Sequence, residues 1–140
     1  SYRASFQRHQ LDVELALPDS DPLWVWGDSE RLKQVFVNLL ENSLRYTYIP
    51  GAVRVSVVQV DKLIHIAVSD SAPGVNSILY PHLTDRLFRV DESRNRESGG
   101  AGLGLNLSAA IVTAHEGEIS FDDSALGGLM VTVKLPVLEK

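Results

Sequence analysis

The chain has 140 residues, 44% of them hydrophobic and 22% charged, with a formal net charge of −5. That length fits one domain with a substantial core, and the acidic balance argues against a general nucleic-acid binder, which carries a basic face. Cysteine is absent, so disulfides and thiolate metal sites are excluded.

No apolar run approaches the roughly 20 residues that span a bilayer, and no signal peptide is recognisable. The chain opens at Ser1 without Met, which leads us to expect a piece of a longer protein. Ser1 to Gln10 is polar and reads as a lead-in. Leu11 to Leu17 alternates apolar and polar residues, the pattern of a half-buried strand. Pro18 and Asp19-Ser-Asp-Pro22 form a turn. Leu23-Trp-Val-Trp26 reads as a short strand ended by Gly27. Asp28 or Ser29 can cap the helix that follows, with Glu30 in its first turn.

That helix is predicted to run to Tyr46, before Pro50-Gly51 breaks it. Leu32, Val35, Phe36, Leu39, Leu40 and Leu44 recur at steps of three and four, building an apolar arc. Asn38, Asn42 and Arg45 form a second stripe along its edge. Asparagine is a poor helix former, because its amide competes for backbone groups. Two such residues one turn apart are either solvated, or satisfying a buried backbone group, or pointing into a ligand pocket. The helix alone leaves these alternatives open.

Val53–Val60 and Leu63–Ser69 read as a hairpin closed by Asp61-Lys62. His65, in its second strand, reads as a surface or satisfied residue. Asp70-Ser-Ala-Pro-Gly74 is a turn-forming cluster. Residues 75–100 are irregular and charged, with short helical pieces expected around Tyr80 to Phe88. A connection this long is characteristic of a functional lid or a disordered segment. It ends in Gly99-Gly-Ala-Gly-Leu-Gly104. Leu103, Leu105, Leu107, Ala110, Ile111 and Ala114 predict a second amphipathic helix, stopping at His115-Glu116-Gly117. Glu118–Phe121 is a strand, Gly127-Gly128 a turn, and Met130–Leu135 the last strand, closed by Pro136. This order predicts an α+β fold, a two-layer sandwich with helices on one face of a mixed, mostly antiparallel sheet. No internal repeat or linker divides the chain.

Four glycines in six residues at a helix start leave backbone N–H groups open to an anion, the physical recipe for holding phosphates. The run is neither a P-loop, lacking Lys-Ser or Lys-Thr, nor G-x-G-x-x-G, since Leu105 stands at the third glycine. A flexible hinge is the plain alternative. His115-Glu116 is not H-E-x-x-H, and His115 reads as a helix C-terminal residue favoured by the dipole.

Taken together, the motifs carry a resemblance. Asn38-Leu-Leu-Glu-Asn42-Ser-Leu-Arg45-Tyr46 resembles the N box of sensor histidine kinases. Asp70-Ser-Ala-Pro-Gly74 resembles their first glycine box, and Gly100-Ala-Gly102-Leu103-Gly104-Leu105 their second. Gly127 to Pro136 is similar to the closing pattern of the same catalytic domain. The wording of Glu41 to Thr47, Asp70 to Val75 and Ser93-Arg-Asn-Arg96 resembles most closely the BaeS type of envelope-stress sensor kinase. The resemblance implies the Bergerat ATP-binding fold shared with gyrase, Hsp90 and MutL.

It also implies roles for individual residues. Asn42 would bind Mg²⁺, with Asn38 beside it at the metal or phosphates. Arg45 would face phosphate charge, and Tyr46 would stack near the base. Asp70 would accept from the adenine 6-amino group, above the turn at Gly74. Gly100, Gly102 and Gly104, with Leu103 and Leu105, would line the triphosphate. Arg89, Arg94 and Arg96 lie in the lid, where one or more would reach the γ-phosphate. Asn38, Arg45 and Arg89 are the catalytic candidates. The implied cofactors are ATP and Mg²⁺. The implied partners are a histidine-bearing dimerisation domain, absent from this chain, and a downstream response regulator. The fragment would be a monomer and the parent a homodimer, with this domain on the cytoplasmic side of a bacterial inner-membrane sensor.

Departures from the pattern are Ala72 and Leu129, where glycine and threonine are common, and Thr84 and Leu87, where the lid usually carries phenylalanines. Two rival functions remain at this point: an ATP hydrolase of the gyrase, Hsp90 or MutL kind, and a degenerate module that only binds nucleotide or a partner. The first is disfavoured by Asn38, because the hydrolases place a water-activating glutamate there and an amide is no useful base.

Overall fold

The organising helix, α1 (Ser29–Tyr46), begins where its cap dictates. In this computed structural model, which describes residues 11–16, 24–85 and 103–138, Asp28 Oδ1 accepts from Glu30 N at 3.1 Å and Arg31 N at 3.3 Å. Two of the amide groups orphaned at a helix start are thereby satisfied. Leu32, Val35 and Leu39 are buried, and Phe36, Leu40 and Leu44 pack around them. The apolar arc is thus the core face of the helix.

The remaining elements are β1 (Leu11–Ala16), β2 (Gly51–Val60), β3 (Leu63–Ser71), a 3-10 helix (Ser77–His82), α2 (Leu103–Ala114), β4 (Glu118–Asp123) and β5 (Gly127–Pro136). The five strands form one sheet in the order β1-β2-β3-β5-β4. The β1–β2 pair is parallel and the other three pairs are antiparallel. A parallel pair needs a crossover, and α1 supplies it. Alternation then sends Val53, Val68, Val131, Val133 and Leu135 into a single core with both helices. The mixed sheet with helices packed on one face is the architecture the motif order predicted.

Local details correct four expectations. Trp24–Trp26 joins no ladder among the described residues, and Leu138 N donates to Trp24 O at 2.7 Å. Val25 packs against the core, while Trp24 and Trp26 on either side of it are exposed. The turn between β4 and β5 falls on Ala125-Leu126, and Gly127-Gly128 already belong to β5. Helical structure after the Asp70 turn begins at Ser77, capped by Asn76, whose Oδ1 accepts from Ile78 N at 3.1 Å. On α2 the inward residues are Leu105, Ser108, Ile111 and Val112, whereas Leu107, Ala110 and Ala114 are exposed. Both sets recur at steps of three and four, so spacing alone does not choose between them; packing turns the face of Leu105, Ser108, Ile111 and Val112 to the core. The lead-in at 1–10, Leu17 and the part of the lid from 86 to 100 lie outside the described residues.

Candidate functional site

The site is built where the C-terminal half of α1, the end of β3 and the start of β5 converge. A register shift makes this possible. Ser69 of β3 pairs with Met130 of β5, but Ser71 pairs with Gly127, so Gly128 and Leu129 together oppose Asp70. Such a bulge releases a backbone group from the ladder and re-aims a side chain. Here the released Leu129 N–H donates to Asp70 Oδ1 at 2.8 Å. Ser43, buried on α1, donates through Oγ to Asp70 Oδ2 at 3.4 Å.

Burial pushes the Asp70 carboxyl up to about 6, and the two hydrogen bonds only partly oppose it. A carboxylate kept in so unfavourable a place is a candidate binding group. Gly128 makes room for it, since a Cβ at that position would lie 2.2 Å from Asp70 Oδ1 and from Ser71 O. Gly74 (φ +69) takes the left-handed conformation open to glycine, and a Cβ there would press on Gly128 at 3.0 Å. Between them, Ala72 and Pro73 are joined by a cis peptide, and Ala72 keeps a negative φ, so alanine fits this turn without strain. Tyr48 N donates to Ala72 O at 2.9 Å, tying the turn to the segment after α1.

Asn38 and Asn42 are half-buried on α1 and Arg45 is exposed. The Asn42 Nδ2 is enclosed without a hydrogen-bond partner among the described residues, as is Thr47 Oγ1 just past the helix end. Buried polar atoms of this kind are uncommon and call for an explanation. The described residues hold no cluster of three or more His, Cys, Asp or Glu side chains. The oxygens that Asn38 and Asn42 offer are neutral amide oxygens, donors of the kind a hard cation such as Mg²⁺ accepts. Tyr46 closes α1, half-buried.

Leu103, Gly104 and Leu105 open α2, and Leu105 packs on the core. Asn106 Nδ2 donates to Thr84 O at 2.9 Å, joining the start of α2 to the beginning of the lid. Thr84 thus contributes its carbonyl, whatever side chain stands there. Gly100, Gly102, Arg89, Arg94, Arg96 and Leu87 lie outside the described residues. Sequence reasoning missed Ser43, Thr47 and Gly128, and noticed Leu129 only as an odd side chain. The one available signal was the doubled glycine at 127–128.

Comparison with known proteins places the chain in a family. Residues 27–139 match the family described as histidine kinase-, DNA gyrase B- and HSP90-like ATPase, and the chain belongs to that family. Within it, the chain is 45% identical over 137 residues to the signal transduction histidine-protein kinase BaeS of Escherichia coli K12, covering 98% of this chain and 29% of that protein. It thus spans less than a third of the relative's length. The fold matches the catalytic domain of histidine kinase ThkA with a TM-score of 0.83 at 22% identity, covering 96% of this chain and 84% of that one. Full-length ShkA in complex with AMPPNP matches with a TM-score of 0.78 at 19% identity, covering 99% of this chain and 29% of that one.

Proposed function

We propose that this chain is the catalytic ATP-binding part of a sensor histidine kinase, holding ATP with Mg²⁺ and presenting the γ-phosphate to a histidine on a separate dimerisation domain. The observation that carries the reading is the half-buried, doubly hydrogen-bonded Asp70 carboxylate beside the Gly74 turn. A carboxylate accepts hydrogen bonds only, so it selects a base that presents a donor, as the adenine 6-amino group does. The amides of Asn42 and Asn38, on the same helix, supply neutral oxygens for the metal. Arg45 and the lid arginines Arg89 and Arg94 carry positive charge toward the phosphates. Tyr46 offers an aromatic face to the base, and Gly100, Gly102 and Gly104 offer backbone N–H groups to phosphate oxygens.

When bound, Mg²⁺ neutralises charge on the phosphates being parted. The chain's own part is positioning: the base is fixed at Asp70 and the stripe on α1 orients the metal end. Asn38 supports transfer over hydrolysis, because an amide cannot take a proton from water near neutral pH. The parent would be a membrane-anchored homodimer that passes the phosphoryl group to a response regulator.

The test is calorimetric titration with ATP and Mg²⁺, followed by addition of a purified dimerisation domain. We expect binding that Asp70→Ala abolishes, and phosphohistidine on the added domain. Binding indifferent to Asp70→Ala would overturn the reading.

A further inference from the structure

We propose that Ser43 is a positioning residue for base selection, its buried hydroxyl holding the Asp70 carboxylate in the orientation and charge state that accept from an exocyclic amino group. The proposal rests on the assignment of Asp70 to the base. Ser43 is 4% exposed, and its Oγ donates to Asp70 Oδ2 at 3.4 Å while Leu129 N takes Oδ1 at 2.8 Å. Each carboxylate oxygen thus has one donor, the first from a helix and the second from the bulge on β5. Two donors from two elements fix the carboxylate plane, and each oxygen keeps a lone pair for a ligand.

Both donors favour the charged form of a group that burial disfavours. That form accepts from an amino group, whereas a protonated carboxyl could also donate to a 6-oxo base. Ser43 therefore acts on what Asp70 recognises without touching the base itself. At 3.4 Å the contact is long for an O–H···O bond. Ser43 also follows Asn42 directly in α1, so one turn of helix carries the support for the base end and the amide assigned to the metal end.

The experiment measures displacement of a fluorescent ATP analogue from this chain and from Ser43→Ala and Ser43→Cys by two competitors with Mg²⁺: ATP, and purine riboside triphosphate, which lacks the 6-amino group. Ser43→Ala should weaken ATP about five- to tenfold, as loss of one hydrogen bond to a charged group would. The purine compound should change by less than about twofold. Cysteine fills the same space with a weak donor, so Ser43→Cys should follow Ser43→Ala. Equal weakening of both nucleotides, restoration of ATP affinity by cysteine, or no change in ATP affinity would overturn the proposal. Asp70→Ala, measured alongside, isolates the premise. If it leaves ATP affinity intact, the base assignment has failed; if it abolishes binding while Ser43→Ala does nothing, only the role of Ser43 has failed.

Discussion

The two ends of α1 are built from the same materials and used in opposite ways. At its N-terminus, Asp28 caps the helix through its side chain, and its own N–H donates to His115 Nε2 at 2.9 Å. The other nitrogen of that ring, Nδ1, meets Ile111 O at 2.8 Å. One imidazole therefore joins the start of α1 to the end of α2, with a partner for each nitrogen. At the other end, Asn42 Nδ2 and Thr47 Oγ1 are enclosed without partners among the described residues, and Asp70 is held well above its ordinary value. Satisfied polar groups fasten the fold at the first end. At the second, groups are kept in states that favour a ligand over the empty protein, and for that reason the site belongs there.

The sharpest way to break this contrast is Asp70→Asn. The folded-state value of Asp70 is about 6 against 3.8 for the isolated group. A raised carboxyl costs nothing below the lower value, where both states are protonated. It costs progressively more as pH rises from there through the folded value, and the full amount above it. Two units correspond to about 3 kcal/mol. Asparagine can still accept from Leu129 N and donate to Ser43 Oγ, but carries no charge. We expect Asp70→Asn to stabilise the chain by up to about 3 kcal/mol at pH 7.5 and to gain nothing near pH 3.5. ATP affinity should fall more than about a hundredfold, because the acceptor has become a donor. Urea denaturation at both pH values reads the first effect and calorimetry the second. A destabilised variant at pH 7.5 would mean that the site is not where stability is given up.

Gly128→Ala should come next, at about 1–3 kcal/mol destabilising. The added Cβ meets Asp70 Oδ1 and a backbone oxygen at 2.2 Å, so β5 must move and ATP affinity must fall with it. A variant that kept full affinity would show that the bulge does not seat Asp70. This residue also marks what the sequence made legible. Periodicity identified α1 and the β2–β3 hairpin, and the resemblance to a glycine box singled out Asp70, since each signal lies within one short stretch. The seat of Asp70 depends on Leu129, 59 residues away, and on a register shift that leaves no local trace beyond two glycines. Ser43 was passed over because serine on a helix is unremarkable until its neighbour is known. The parallel β1–β2 pairing was equally hidden, because strand patterning records which face is buried and not which neighbour is paired.

His115→Ala tests the fastened end. The residue reads in the sequence as a helix terminus favoured by the dipole, and its contact with Ile111 O agrees with that place. The larger part of its role is the acceptor it offers to Asp28 N, 87 residues away in sequence. Alanine leaves that N–H without its partner and opens space beside Gly27, against which the ring packs. Partial exposure lets water replace some of the loss, so about 1–2 kcal/mol is expected, with ATP affinity unchanged in calorimetry. An accompanying loss of affinity would mean that the two ends are coupled through α1.

The smallest expected effect is that of Asp28→Ala, and it separates capping from charge. Removing the side chain leaves the N–H groups of Glu30 and Arg31 to water, at a cost of about 1 kcal/mol. The ion pair with Arg31, 3.5 Å long and exposed on both sides, adds little that salt does not already screen. Asp28→Asn should therefore retain most of the stability, because its amide oxygen still caps the helix, and 0.5 M salt should not distinguish the two proteins. The measurement is the urea midpoint at constant slope. A loss for asparagine as large as that for alanine would show that negative charge at the helix start, rather than the cap geometry, holds this end of α1.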